Sequence, residues 1–151
     1  MSQPNRHTGE SGVPDLAVPF ERSLSATVPG YFRYSQQLKG KLQMVIRDPA
    51  TWADIWCRLR FATTVPREPA PSIDFEREML IVVGVGRRTD GYTAEIDSIV
   101  ISEGQLIVRY RTGFDFGESL TDGFSDPVIV VRVPRDDSHP IAFVDVTSDL
   151  P

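Results

Sequence analysis

The run at residues 79–86 constrains the fold of this 151-residue chain more than any other feature. It reads Met-Leu-Ile-Val-Val-Gly-Val-Gly and is apolar at every position except its two glycines. A strand with one face in water alternates apolar and polar residues, whereas an unbroken apolar run is typical of a strand buried on both faces. We therefore predict that residues 79–86 form the central strand of a β-sheet.

An amphipathic helix is predicted at residues 48–61. Asp48 is a favourable N-cap residue, and Pro49 suits the first helical position because its missing N–H needs no partner there. Apolar residues then recur at the spacing of one helix face, at Trp52, Ile55, Trp56 and Leu59. We expect this stripe to pack on the sheet as core, with Cys57 packed at its edge. The alternative is an aromatic platform that encloses a small-molecule pocket against the sheet.

The remaining strands are predicted from period-two patterns and turn residues. Asp90-Gly91 and Glu103-Gly104 are typical of tight turns, so the central strand and the two strands after it are expected to form an antiparallel meander. Residues 135–140 have the composition of a polar, hairpin-like turn. Further strands are expected within 20–34 and at 41–47, 92–101, 105–112, 128–133 and 141–146.

The fold class that follows is α+β, mainly β. We expect an antiparallel sheet, or a partly closed sandwich or barrel, with one amphipathic helix packed against it. Residues 1–19 are polar and rich in Pro, Gly and Ser, which predicts a flexible N-terminal arm before a single globular domain at 20–148. The arm lacks the apolar segment of a signal peptide, so the sequence as written predicts a cytoplasmic protein, or a secreted one whose leader has been removed.

Composition disfavours several classes of partner. The net charge of −5 and the pI of about 5.0 offer no field that would attract nucleic acid. No run reaches the roughly 20 apolar residues that a membrane helix needs. Zinc sites take Cys and His ligands, and the chain has only Cys57, His7 and His139, far apart in sequence. We expect no nucleic-acid partner, no membrane partner, no metal and no cofactor.

Groups suited to catalysis are few. His139 lies near Asp136 and Ser138, but the Gly-x-Ser-x-Gly motif of serine hydrolases is missing. A solvated turn is the simpler interpretation of these residues. The sequence therefore predicts that the chain is not an enzyme.

The functional hypothesis concerns three loops, a first at residues 87–92, a second at 114–117 and a third at 135–139. Phe114 and Phe116 lie in a segment rich in Gly and Asp at residues 113–126, and loop aromatics often anchor interfaces, although they could equally fold back onto the sheet. We predict a non-catalytic protein–protein interaction module. Its expected contact residues are Arg87, Arg88, Thr89, Asp90, Gly91, Tyr92, Phe114, Phe116, Asp136 and His139.

Several of these motifs occur together in a known family. The order of the two-tryptophan helix, Glu78 to Gly86, Gly91-Tyr92 and Asp126 to Pro134 resembles the PrcB C-terminal family of protease-complex-associated proteins, over residues 45–146. The resemblance implies a non-catalytic subunit that associates with or stabilises a protease. Thr89-Asp-Gly-Tyr92 is also similar to the Thr-Thr-Gly-Tyr loop of chagasin-type inhibitors, which implies a protease inhibitor as an alternative.

Overall fold

The computed structural model of the chain describes residues 14–26, 28–32, 41–60, 69–89, 91–114 and 124–147. Within these residues the chain forms one helix and ten strands, which confirms the α+β, mainly β class. In chain order the elements are β1 (Leu16–Ala17), β2 (Tyr31–Phe32), β3 (Lys41–Ile46), α1 (Pro49–Arg60), β4 (Glu78–Val85), β5 (Arg88–Thr89), β6 (Tyr92–Ser102), β7 (Gln105–Phe114), β8 (Phe124–Ser125), β9 (Val128–Pro134) and β10 (Ile141–Asp145).

Most of these strands belong to two four-stranded sheets. The central sheet has the strand order β2-β9-β4-β3 and is antiparallel throughout. The outer sheet has the order β1-β6-β7-β10, and in it β10 runs parallel to β7. The short strands β5 and β8 form a separate antiparallel pair. The sheets do not close into a barrel.

The central sheet is the middle of three layers, because its two faces belong to different cores. One face packs with α1 in the helix-side core, and the other packs with the outer sheet in the sheet-side core. Along β4, Leu80 and Val82 point to the helix side while Ile81 and Val83 point to the outer sheet, and all four are 0 % exposed. This alternation explains the unbroken apolar run and confirms the prediction of a central strand buried on both faces.

The helix forms as its sequence predicts. The Thr51 N–H donates to Asp48 Oδ1 at 2.8 Å and caps the first turn. Trp52 and Trp56 are both 2 % exposed, and the Trp52 indole N–H donates to the Pro71 carbonyl at 2.9 Å. The apolar stripe is therefore core. The expectation for Cys57 was wrong: its side chain is exposed, because the next helical position turns away from the stripe.

The connections between strands differ most from the prediction. The expected meander is wrong, because β4 lies in the central sheet and β6 in the outer sheet. Gly86 and Gly91 have φ angles of 92° and 103°, and the chain crosses between the sheets over this segment instead of making an Asp-Gly hairpin. The segment between β9 and β10 also crosses between the sheets, so the expected hairpin there is wrong too. The Glu103-Gly104 turn joins β6 to β7 as predicted, with φ angles of 52° and 81°.

A segment near the amino terminus ties the two sheets together. Strand β1 pairs with β6, and Glu21 exchanges two backbone hydrogen bonds with Arg132 of β9, each 2.9 Å long. Strand β1 thus lies inside the range that the sequence predicts as a flexible arm. No helix within the described residues is long and apolar enough to span a bilayer.

Candidate interaction surface

Ends of four strands, β3, β4, β6 and β7, lie at one end of the two sheets. In the antiparallel registers, Lys41 at the start of β3 lies opposite Val85 at the end of β4, and Tyr92 at the start of β6 lies opposite Phe114 at the end of β7. The short pair of β5 and β8 lies beyond the end of β4. We call this end the rim and define it by the residues Lys41, Arg87, Arg88, Gly91, Tyr92, Phe114, Ser125, Asp126 and Asp145.

An aromatic pair forms one part of the rim. The rings of Tyr92 and Phe114 pack edge to face, with centroids 4.9 Å apart, and Tyr92 remains 37 % exposed. The Tyr31 hydroxyl donates to the Tyr92 carbonyl at 3.3 Å, which fixes the backbone below the ring. Phe114 ends a strand, so the expectation that it lies inside a loop was wrong. Two other expected contact residues, Phe116 and Asp90, lie outside the described residues.

The rim also contains an ion pair and a buried hydroxyl. Arg87 Nη2 is 3.4 Å from Asp126 Oδ2, and the Arg87 side chain is 53 % exposed whereas that of Asp126 is 8 % exposed. Among the described residues, the second carboxylate oxygen, Asp126 Oδ1, is buried without a hydrogen-bond partner, as is Ser125 Oγ. A buried polar atom without a partner costs about 1–3 kcal/mol, so these two atoms mark a local energetic cost at the rim.

Two more cations, Lys41 and Arg88, extend the rim toward Asp145 at the end of β10. Arg88 Nη1 donates to the Arg87 carbonyl at 2.9 Å, and the Thr89 backbone pairs with Phe124. Burial raises the pKa of Asp145, but hydrogen bonds from the Thr147 hydroxyl and N–H, together with the charges of Lys41 and Arg88, outweigh burial and lower that pKa. The rim therefore combines an exposed aromatic ring with three cations and two carboxylates.

The two remaining expected contact residues, Asp136 and His139, lie at the opposite end of the sheets. Strand β9 begins at Val128, two residues after Asp126, and ends at Pro134. Its length of seven residues corresponds to about 20 Å. The structure thus brings the loops around Arg87–Tyr92 and Phe114 together and separates them from the third loop.

Asp136 holds that third loop in shape. Its Oδ1 accepts from the N–H groups of Ser138 and His139 at 2.9 and 3.0 Å, and its Oδ2 lies 2.7 Å from His139 Nδ1. Burial raises the pKa of Asp136, but the hydrogen bonds from the His139 ring, the two N–H groups and the Ser138 hydroxyl outweigh burial and lower the pKa to about 2.

These three residues do not have the geometry of a catalytic triad. Ser138 Oγ lies 3.3 Å from His139 Nδ1, the same nitrogen that contacts Asp136. A proton relay needs the acid on one ring nitrogen and the nucleophile on the other. Asp136 and Ser138 therefore act here as loop-stabilising groups.

Arg135 joins the third loop to the rest of the fold. Its Nη1 donates to the carbonyls of Arg47 and Phe75 at 3.0 and 2.8 Å, and its Nε lies 2.9 Å from Asp137 Oδ2. Arg47 Nη2 in turn donates to the Asp136 carbonyl at 3.0 Å. Three chain segments meet at these contacts, so the cluster has a clear structural role.

Two cavities within the described residues lie away from the tryptophan helix, beside which the alternative interpretation of the sequence expects a pocket. Trp52 and Trp56 pack on each other with ring centroids 5.7 Å apart, within the helix-side core. Two open cavities of about 240 and 200 Å³ instead share Pro19 and Pro134 as walls, at the edge bridged by the amino-terminal segment. Within the described part of the chain, no group of three or more His, Cys, Asp or Glu side chains could hold a metal ion.

Sequence reasoning missed Lys41, Ser125, Asp126 and Asp145 as members of the rim. Ser125 and Asp126 precede an apolar strand, which is a weak signal for a strand end but none for burial. Their burial depends on how β8 and β9 pair with distant strands.

Comparisons with known proteins give no relative. No model of a protein family matches the sequence, and neither a curated protein nor a solved structure matches the chain. Function must therefore be argued from the geometry of the site.

Proposed function

We propose that the chain is a non-catalytic protein–protein interaction module that contacts its partner through the rim. The observation that carries this proposal is the exposed Tyr92 ring, packed on Phe114 at the rim that also contains the Arg87–Asp126 ion pair. Tyrosine and arginine are enriched among the residues that dominate binding energy, and such residues cluster at the centre of an interface.

The way the rim is built supports this proposal. Tyr92 and Phe114 are held by paired strands and not by a free loop, so binding would cost little conformational entropy. The Arg87 side chain, 53 % exposed and paired with the buried Asp126 carboxylate, gives the surface an anchored donor that a carbonyl or carboxylate of a partner can use. A polar, aromatic rim of this kind suits a protein surface, whose own groups are both apolar and hydrogen-bonding.

A narrower proposal is that the partner is a protease. It rests on the resemblance to protease-associated proteins, and Gly91 and Tyr92 of the inhibitor-like sequence both lie at the rim. In this form the protein either stabilises the protease or inhibits it.

Photo-crosslinking tests the proposed surface. The matched position is Leu16, an apolar side chain that is 62 % exposed and pairs with Ile101 toward the opposite end of the outer sheet. A photoreactive phenylalanine analogue at Tyr92 should yield a discrete adduct with a protein from an extract of the source cells, identified by mass spectrometry. The same analogue at Leu16 should not. Equal adducts at both positions, or none at Tyr92, would contradict the proposed surface.

A protease panel tests the narrower proposal separately. The purified protein should change the rate or the lifetime of at least one cysteine or serine protease, and Tyr92→Ala should remove most of that effect while Leu16→Ala leaves it intact. If no protease is affected, the protease assignment is wrong. The crosslinking result then still decides whether the rim binds a protein.

A further inference from the structure

Strand β3 is an edge of the central sheet. It pairs with β4 along its whole length, from Lys41 opposite Val85 to Ile46 opposite Leu80. Within the described ranges, no other strand pairs with its second side. The unpaired backbone groups of such an edge are a template for another strand.

This edge lacks the features that usually prevent pairing. Strand β3 contains no proline, its register with β4 is uninterrupted, and its one charged residue, Lys41, stands at its first position. Proteins normally protect an edge with proline, a bulge or a charge in its middle. We propose that β3 pairs in antiparallel fashion with β3 of a second copy of the chain, which joins two central sheets into one.

Charge favours one of the two registers that pair five residues of β3 in each copy. A two-fold axis perpendicular to the sheet must pass midway between the two copies of one residue if both chains keep the same face toward the helix side. We describe that residue as lying on the axis. With Met44 on the axis, Lys41 would lie opposite Arg47 of the second copy, and like charges directly opposite are destabilising. With Gln43 on the axis, Lys41 lies opposite Val45 of the second copy, and the one like-charged pair, Arg47 opposite Lys39, falls beyond both ends of β3.

The Gln43 register also pairs apolar groups. It places Leu42 opposite Met44 of the second copy, and both side chains are only partly buried against the helix-side core. Pairing would cover their exposed parts, which adds apolar burial to the backbone hydrogen bonds.

The size of this contact predicts a weak dimer. A strand of six residues spans about 20 Å, and one shared strand pair belongs to the smallest class of interfaces, below about 1,200 Å². Because the strands run in opposite directions, the two rims would point away from each other. The dimer would then present two contact surfaces at opposite ends.

Disulfide trapping tests the register. In a Cys57→Ser background, Gln43→Cys places one thiol on each side of the axis. The two Cα atoms would be about 4.5–5.5 Å apart, which is within disulfide range. Lys41→Cys is the matched control, because its two copies would be about 13 Å apart. At about 1 mM protein under mild oxidation, we expect a crosslinked dimer for Gln43→Cys and monomer for Lys41→Cys.

Analytical ultracentrifugation tests the dimer without a crosslink. The wild-type chain should change from monomer to dimer between about 10 µM and about 1 mM. Gln43→Lys places two ammonium groups opposite each other and should weaken the dimer about tenfold or more. Gln105→Lys makes the same substitution at an exposed position of β7 and should leave the dimer unchanged.

One control separates pairing from a local contact. Gln43 Nε2 donates to the Tyr110 hydroxyl at 3.0 Å, and Tyr110→Phe removes this bond without changing the edge. The proposal predicts that Tyr110→Phe still dimerises. It is overturned if the wild-type chain stays monomeric at every concentration, which would leave the edge to another partner. It is equally overturned if Lys41→Cys crosslinks as well as Gln43→Cys, or if Gln43→Lys dimerises like the wild type.

Discussion

Gly30 lies where two backbone segments approach each other closely. Its N–H donates to the Arg22 carbonyl and its carbonyl accepts from the Val130 N–H, both at 2.7 Å. A Cβ at this position would overlap both the Val130 and Arg22 carbonyl oxygens, which are backbone atoms and cannot rotate away. We expect Gly30→Ala to lower the free energy of unfolding by about 3 kcal/mol, measured by urea denaturation.

Gly104 provides the control for this substitution. Its φ angle is 81°, but a Cβ there would have no atom within 4 Å. Gly104→Ala should therefore cost only the strain of a left-handed backbone, about 1 kcal/mol. Equal losses for the two variants would show that close approach is not what makes Gly30 necessary.

The ionised carboxylate of Asp136 should stabilise the fold in a pH-dependent way. Its pKa of about 2 in the folded chain is below its ordinary value of 3.8, so protonation favours the unfolded chain. The stabilisation is complete above pH 3.8 and is lost as the pH falls toward 2. Asp136→Asn should lower the free energy of unfolding by about 1 kcal/mol at pH 7, and the difference from the wild type should shrink at pH values of about 3 and below. A difference that stays constant with pH would argue against this role.

At the scale of elements, the cap of α1 can be tested through the helix it starts. Asp48 accepts from both the N–H and the hydroxyl of Thr51, and these hydrogen bonds lower its pKa. Asp48→Ala leaves the first turn without this acceptor and should lower Tm by about 2–4 °C in calorimetry. Asp48→Asn keeps an acceptor at the N-cap and should recover most of the loss. If Asp48→Asn is as unstable as Asp48→Ala, the cap is not the reason.

The elements that the sequence predicts best are those whose patterns are local. Helix α1 follows from its cap and its apolar stripe, and β4 follows from its unbroken apolar run. The partners of these strands could not be predicted in the same way. Asp90-Gly91 and residues 135–140 have the composition of hairpin turns, yet both segments cross between sheets, because β9 pairs with β4 in the place where a meander would put β6.

The candidate site shows the same limit. The sequence indicated Arg87, Tyr92 and Phe114 because charged and aromatic residues near turns are typical of contact surfaces. It could not indicate Asp126, whose burial arises only when β9 lies beside β4. It also grouped His139 with the rim, since nothing in the local sequence shows at which end of a strand a loop will lie.

At the scale of the whole molecule, β4 couples the two cores. Leu80 belongs to the helix-side core and Ile81 to the sheet-side core, although the two residues are neighbours in one strand. Loss of either core would expose a face of the same strand, so neither core can unfold while the other stays intact. The fold should therefore lose both cores in one cooperative transition.

Substitutions on the two faces of β4 test this coupling. Leu80→Ala and Ile81→Ala each leave a cavity in one core and should each lower the free energy of unfolding by about 2–5 kcal/mol. Leu16→Ala, at a side chain that is 62 % exposed, should change it by less than about 0.5 kcal/mol. Because β4 is shared, both core variants should keep a single transition, monitored by tryptophan fluorescence for the helix side and by far-UV circular dichroism for the sheets. If Leu80→Ala shifts the fluorescence transition while the dichroism transition stays in place, the two cores unfold independently and β4 does not couple them.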